Sequence, residues 1–523
     1  MARKYSFLFV FSLLALSLVG VPIAGWNSAV LDDQLETQVI EAEGAFPRGP
    51  TVHMVNKTAA MIYWKTDTDT NAIVNYGNAA DNLDSSVENS TLSTEHRVWI
   101  DGLTAGTTVY YEAVSDGTAS EVYHFKTEPE DGSPFKLIAL GDPQPIADIE
   151  PEQSEIFKEF MMMVRDEEPH LIIILGDYVH ELSDTDESYN DLCWNNFLDA
   201  SETAGHYAPI YGVIGNHDTM SGDRYADGFL SAFQQHGGDS TYFSFDYAGV
   251  HFTFLDSEMP EYQGRIAGAQ YDWLVDDLEN TDKEIKYVVV HQPMYPVSAR
   301  RSSLDRNRTE RDRLQNLFEE HNVTAFLAGH DHVFQRITVN EVIHVTSAGA
   351  GPKLYHTPWG GDFNHYTRWN VSSVRIEMEC IKPDGQVAET YTLPYEGHIE
   401  IVLRRCFNTS AGQPDEAPLI LFSEVPEEEY YSWDGGANST DLGTFPDTNG
   451  LHTLDVYAKG SDGVWNHKYY EFDTVGGEET DTDTDTTTTP PPTGINPLLI
   501  TGVIGVAVVI VIIVVYRMKA GST

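Results

Sequence analysis

Between residues 46 and 128 apolar and polar positions alternate with a period of two. Ala60-Met61-Ile62-Tyr63-Trp64, Ala72-Ile73-Val74-Asn75-Tyr76 and Val109-Tyr110-Tyr111-Glu112-Ala113 are examples. Alternation of this kind, broken by turn residues, predicts short strands in a β-sandwich. From 133 to 396 the pattern changes. Apolar runs of four or five residues lack alternation and are separated by stretches of helical period. Glu155 to Arg165 and Gln270 to Leu278 are amphipathic at helical spacing. The region is predicted to be α/β, with sheets flanked by helices. From 397 to 476 strand-like segments return, including His452 to Ala458 and Tyr469 to Phe472. They predict a second, smaller β-sandwich-like domain.

Both ends carry long apolar stretches. Arg3 and Lys4 precede an apolar run from Tyr5 to about Val21, followed by Ala24 and Gly25. Residues 1–25 have the layout of a signal peptide, either cleaved or kept as an anchor. Residues 477–495 are almost wholly acidic residues, Thr and Pro, too polar to build a core, and read as an extended stalk. Residues 496–516 contain an uncharged run from Leu498 to Val515. Eighteen residues at about 1.5 Å each approach the thickness of a bilayer core, so this is the expected transmembrane helix. Arg517 and Lys519 in the tail 517–523 place the C-terminus in the cytoplasm. The expected location is therefore a cell membrane, single-pass, with the large domains outside. Seven Asn-X-Ser/Thr sequons, from Asn56 to Asn438, fit an exported chain.

Charge changes the picture in one respect. The 523 residues include 81 acidic and 31 basic ones, a net charge of -50. Such a surface repels nucleic acid, so no nucleic-acid partner is expected. The three cysteines, Cys193, Cys380 and Cys406, are too few for a disulfide scaffold or a Cys-rich zinc site. Outside the cell Cys380 and Cys406 could pair, though their spacing decides nothing.

The central region repeats one construction five times. Leu137 to Leu140 is followed by Gly141-Asp142-Pro143-Gln144, and Leu171 to Leu175 by Gly176-Asp177-Tyr178-Val179-His180. Ile210 to Ile214 is followed by Gly215-Asn216-His217-Asp218, Tyr287 to Val290 by His291-Gln292-Pro293, and Ala325 to Ala328 by Gly329-His330-Asp331-His332. In each, a buried strand stops and a metal-competent side chain comes next. In α/β sheets ligands bind just beyond the carboxyl ends of strands. One such Asp or His is usually a turn residue, but five together are hard to assign to turns. A bridging carboxylate can hold two cations against their repulsion, and imidazoles with hard oxygens suit Zn, Mn or Fe.

These segments resemble those of the calcineurin-like metallophosphoesterase superfamily. The flanking Gln270-Tyr271-Asp272-Trp273-Leu274, His291-Gln292-Pro293-Met294-Tyr295 and Gly329 to Arg336 make the chain similar to the purple acid phosphatases. The early sandwich resembles the fibronectin type III-like domain that precedes the catalytic domain in that family. The resemblance implies that Asp177 bridges two divalent ions. Asp142 and His332, with Gln144 as a soft contact, would bind the first ion. Asn216, His291 and His330 would bind the second, and His217 would protonate the leaving oxygen. It implies a small phosphorylated substrate and attack by a metal-bound hydroxide.

The sequence departs from the family at two positions. The family's tyrosine ligand to ferric iron stands three residues after the bridging Asp, where this chain has His180. The phenolate that colours the family is missing, so two divalent ions and a colourless protein are expected. Gln144 stands where many superfamily members have histidine. His180 either binds metal or phosphate, or merely supports the site. Six arginines lie between positions 300 and 313. Arg300 and Arg301 either draw an anionic substrate to the metals or belong to a solvated helix start. The loop Ser347 to Gly351, with His356 and Trp359 beyond it, is either a pocket wall or a turn. The function expected is extracellular hydrolysis of phosphate monoesters. The alternatives are a phosphodiesterase for nucleotides or lipid headgroups, and a non-catalytic surface binding protein on an inert phosphatase fold.

Overall fold

A computed structural model describes residues 46–145, 152–236, 238–297, 303–351, 353–356, 361–394, 398–404, 407–408, 413–414, 419–443 and 450–474. The two apolar termini, the stalk, Arg300, Arg301, Trp359 and Cys406 lie outside the described residues. Among the described residues no helix is long and apolar enough to cross a membrane.

The first domain contains strands β1 (Arg48–His53), β2 (Ala59–Gly77), β3 (Ser85–Asp101), β4 (Thr108–Ser115), β5 (Thr118–Ala119) and β6 (Tyr123–Lys126). The two segments expected as separate strands, around Ile62 and Val74, are one 19-residue strand. Its first part pairs with β1 and its last part with β4, while β3 follows it along both. The ladder shifts register between Lys65 and Ala72, where the strand carries a run of exposed polar residues. The bend wraps the sheet around a core that includes Val52, Ile62, Trp64, Val74, Ile100, Tyr111 and Phe125. The fully buried Trp64 donates from Nε1 to Ser115 Oγ at 2.9 Å.

The central domain holds β7 (Phe135–Leu140), β8 (Leu171–Ile174), β9 (Ile210–Gly212), β10 (Phe243–Tyr247), β11 (Val250–Phe254), β12 (Ile285–Val289), β13 (Ala325–Ala328), β14 (Phe334–Val339), β15 (Val342–Ser347), β16 (Tyr366–Val371), β17 (Ile376–Ile381) and β18 (Val387–Leu393). They form two six-stranded sheets, ordered β18-β17-β16-β7-β8-β9 and β10-β11-β12-β13-β15-β14. Strands β7-β8-β9 and β11-β12-β13-β15 run parallel. One face of each sheet meets the other sheet in a shared core that contains Leu137, Ile173, Phe252, Val289 and Leu327. The opposite faces are covered by helices. Ile138, Ile172 and Ile174 pack on helices Glu155–Asp166 and Glu187–Gly205, and Val288, Val290 and Phe326 on helices Gly268–Asn280 and Arg308–Glu320. Parallel strands buried on both faces explain the unalternating apolar runs.

The helix Glu187–Gly205 also carries the first domain. Arg48 donates to Asn195 Oδ1 at 2.9 Å and pairs with Asp199 at 3.2 Å, and Tyr111 Oη donates to His206 O at 2.8 Å. Beyond Leu393 a two-stranded sheet, Ile401–Arg404 with Leu419–Phe422, and a three-stranded sheet of Glu428–Trp433, Gly450–Lys459 and Trp465–Thr474 share one small core. Arg336 on β14 ties it to the centre by reaching both Glu389 and Glu400.

Candidate metal centre

The carboxyl ends of the parallel strands of both sheets converge on one side of the central domain. β7, β8 and the segment after β9 bring Asp142, Asp177 and Asn216 from one sheet. β12 and β13 bring His291, His330 and His332 from the other. Two buried groups result, Asp177-His291-His330 and Asp142-Asp177-His332, with the ligand atoms of each within 4.8 Å of one another. Asp177 belongs to both.

In the first group His330 Nδ1 lies 2.8 Å from Asn216 Oδ1 and 3.3 Å from His291 Nε2. His291 Nε2 is 3.1 Å from Asn216 Oδ1 and 3.3 Å from Asp177 Oδ1. The other His291 nitrogen, Nδ1, donates to Leu175 O at 2.8 Å, which fixes the tautomer and leaves Nε2 as a lone-pair donor. In the second group His332 Nδ1 donates to Lys353 O at 2.7 Å, and Nε2 faces Asp142 Oδ1 at 3.4 Å. Bonds of about 2.0–2.1 Å at tetrahedral angles place ligand atoms roughly 3.3 Å apart, so these spacings fit cations.

The charges fit them as well. Asp142, Asp177 and Asp218 are at most 1% exposed. Burial pushes the Asp142 and Asp218 carboxyls up, Asp218 well above the usual range, with the neighbouring Asp177 adding to the effect of burial there. Asp177 is also pushed up by burial, but the His291 and His217 rings outweigh this and hold it below the carboxylate range. His291, despite burial, is drawn up to about 10 by Asp177 and Asp142. Metal ions at this position would supply the positive charge that the buried Asp177 and Asp142 call for.

The backbone is bent to make this possible. Asp142, Asp177 and His330 sit at φ 59°, 56° and 69°, in the left-handed region that side chains avoid. Gly215 and Gly329 allow close approach: a Cβ at Gly215 would stand 2.3 Å from Asp177 Oδ1, and one at Gly329 2.6 Å from Asp142 Oδ2.

The sequence-expected residues around the ligands take distinct places. His217 donates its main-chain N–H to Asp177 Oδ1 at 2.9 Å, and its ring stacks on His180 with centroids 5.2 Å apart. The Gln144 amide nitrogen, in the orientation that satisfies its surroundings, donates to Asp177 Oδ2 at 3.0 Å and to Asp177 O at 3.2 Å. Gln144 therefore steadies the shared carboxylate. Tyr355, in the loop beyond Gly351, stacks on His332 at 4.5 Å.

One organising residue carries no role in the sequence-based expectations. Asp218 accepts main-chain N–H bonds from Asp177, Tyr178 and Gly215 at 2.8–2.9 Å, and from Val179 at 3.3 Å. It locks the turn after β8 to the turn after β9. The sequence signal is an acid in the first turn of the short helix Asn216–Asp218. Asp218→Asn puts an amide N–H₂ against two or more backbone donors. It is expected to cost about 1–3 kcal/mol of stability, the range for leaving buried donors unsatisfied, measured by urea unfolding.

The comparisons with known proteins agree with this geometry. The calcineurin-like phosphoesterase model matches residues 135–334, and the purple acid phosphatase N-terminal domain model matches residues 47–127. The chain thus carries a calcineurin-like phosphoesterase domain preceded by a purple acid phosphatase N-terminal domain. The relatives that it matches include purple acid phosphatases, and together with the family match they indicate a metal-dependent phosphoesterase. Purple acid phosphatase 23 of Arabidopsis thaliana is 25% identical over 334 residues, which cover 57% of this chain and 67% of that one. Purple acid phosphatase 21 of the same plant is 27% identical over 46% of this chain and 53% of that one. Thus the chain spans about two thirds of one relative and half of the other. The structure of purple acid phosphatase PPD1 from yellow lupin seeds shares the fold, with a TM-score of 0.55 and 17% identity over 66% of this chain and 74% of that one.

Proposed function

We propose that this phosphoesterase hydrolyses phosphate monoesters outside the cell while anchored to a membrane by residues 496–516. The observation that carries the catalytic part is the pair of Asp/His groups sharing Asp177. In this reading Asp142 and His332 would hold one divalent ion, Asn216, His291 and His330 would hold the other, and Asp177, which belongs to both groups, would serve each. Two ions held there supply positive charge to the phosphoryl oxygens and acidify a water near neutral pH. Gln144 and the His217 main chain fix the Asp177 carboxylate through hydrogen bonds at 3.0 and 2.9 Å. The His217 ring passes a proton to the leaving oxygen, a contribution of about 10²–10⁴ in rate for a general acid. The His180 ring, stacked on it, keeps it in line. Charge repulsion by a chain of net charge -50 argues against long nucleic acids as substrates.

Membrane anchoring and export are supported by the apolar ends, the basic tail and the sequons. The metal-loaded full chain is expected to hydrolyse p-nitrophenyl phosphate at least about tenfold faster, as kcat/KM, than bis-p-nitrophenyl phosphate. A reversed ratio would transfer the assignment to a phosphodiesterase. Loading with Mn or Zn should give a colourless protein, since His180 stands where the coloured relatives place tyrosine.

A further inference from the structure

The two metal groups are unequal. Asp177, His291 and His330 form one, and Asn216 Oδ1 lies within 3.1 Å of a nitrogen of each imidazole. The other has Asp142, Asp177 and His332. Gln144, expected to add to it, donates to Asp177 instead, and the His180 ring stacks on His217. His332 is therefore the single imidazole of this group. Its Nε2 is buried, makes no hydrogen bond and lies 3.4 Å from Asp142 Oδ1. A buried lone pair facing a carboxylate is costly until a cation joins the two.

One loop, which follows strand β15, holds both ligands that belong to this group alone. Ala350 donates its N–H to Gly141 O at 3.0 Å, and a Cβ on Gly351 would stand 2.3 Å from Asp142 O, so the chain runs hard against the Asp142 turn. Asn364 ties this part down, donating from Nδ2 to Gly349 O at 2.9 Å and to Gly351 O at 2.6 Å. Further on, Lys353 O accepts from His332 Nδ1 at 2.7 Å, and Tyr355 N donates to His332 O at 3.0 Å. The half-buried Tyr355 ring lies flat on the His332 ring, with centroids 4.5 Å apart and planes 3° apart. The other group is oriented elsewhere, His291 Nδ1 donating to Leu175 O at 2.8 Å.

A flat, offset stack presents the electron-rich face of the phenol to the imidazole. An imidazole that binds a cation gains positive character, and such a face attracts positive charge. The stack therefore strengthens when His332 holds an ion. Partners behind a metal ligand typically carry about 10–100-fold in affinity.

We propose that Tyr355 is a positioning residue for the ion at Asp142 and His332 alone, and that Gly349–Gly351 and Lys353–Tyr355 form its clasp. The two ions then load and leave separately, this one being the weaker. The proposal rests on the two-ion site of the phosphoesterase reading and assigns what controls its occupancy.

The test is equilibrium dialysis of the metal-free full chain against buffered Mn, with bound ions counted by mass spectrometry and no substrate present. The wild type should bind two ions per chain with unequal Kd values. Tyr355→Ala should weaken the weaker ion by at least about tenfold and leave the tighter one within about twofold. Tyr355→Phe keeps the flat ring and should bind both ions within about threefold of the wild type. Tyr355→Leu keeps bulk without a π face and should lose the weaker ion as Tyr355→Ala does, so it carries the test if the smaller residue unfolds the chain. A side chain that merely props the loop would be replaced by leucine without loss. Equal loss at both ions, loss at neither, or wild-type binding by Tyr355→Leu would overturn the clasp and leave the two-ion reading intact. A wild type that binds fewer than two ions would overturn that reading, and the clasp with it.

Discussion

Asp177→Asn is expected to remove turnover while the domain still folds. The substitution keeps shape and removes one negative charge from a position shared by two ligand groups. Loss of a hydrogen bond behind a metal ligand typically costs about 10–100-fold in affinity or activity. Loss of the shared carboxylate itself must exceed that for each ion, so kcat/KM should fall by more than about 10³-fold. Metal content by mass spectrometry should drop in parallel. The main-chain bonds of Asp177 and Tyr178 to Asp218 do not involve the substituted group, so thermal unfolding should remain cooperative. A variant that keeps both ions and a tenth of the activity would remove Asp177 from the bridging role.

Removal of metal is expected to have the second largest effect, this time on stability. Three carboxylates, Asp142, Asp177 and Asp218, are buried together, with histidines as their counter-charges. Ions that bind only the folded state add about 4 kcal/mol per site at a thousandfold excess over Kd. For a domain of this size 1 kcal/mol moves Tm by roughly 2–4 °C. Exhaustive chelation of the wild type should therefore lower Tm by at least about 10 °C, and excess Mn or Zn should restore it. Asp142→Asn should show less than half of that difference. A chelator-independent Tm in the wild type, read by calorimetry, would show that the site holds no structural ion.

Much of the site was legible because parallel strands buried on both faces have a distinctive grammar. An unalternating run such as Leu171 to Leu175 followed by Gly176-Asp177 announces both the strand and the ligand at its end. Other features left weaker traces. Helix Glu187–Gly205 was not anticipated, because it divides its contacts between two neighbours. Cys193, Trp194 and Phe197 face the sheet, while polar Asn195 and Asp199 meet Arg48 of the first domain, so the apolar stripe is narrow. Strand β2 looks like two strands in the sequence because its exposed middle, from Asp67 to Asp69, resembles a turn. Asp218 stood in plain view in the third motif, yet an Asp after a strand looks like an ordinary cap. Its four backbone donors come from two turns 40 residues apart in sequence, which no local pattern reports.

The left-handed backbone at Asp142, Asp177 and His330 sets stability against chemistry at the same three positions. A glycine at any of them would relax the main chain, by roughly 1 kcal/mol where an L-residue is held at positive φ. The same glycine would delete a ligand. Because each bound ion also adds about 4 kcal/mol at a thousandfold excess over Kd, the ligand outweighs the relaxed angle, and only in a variant that has ceased to bind metal would these three positions drift toward glycine.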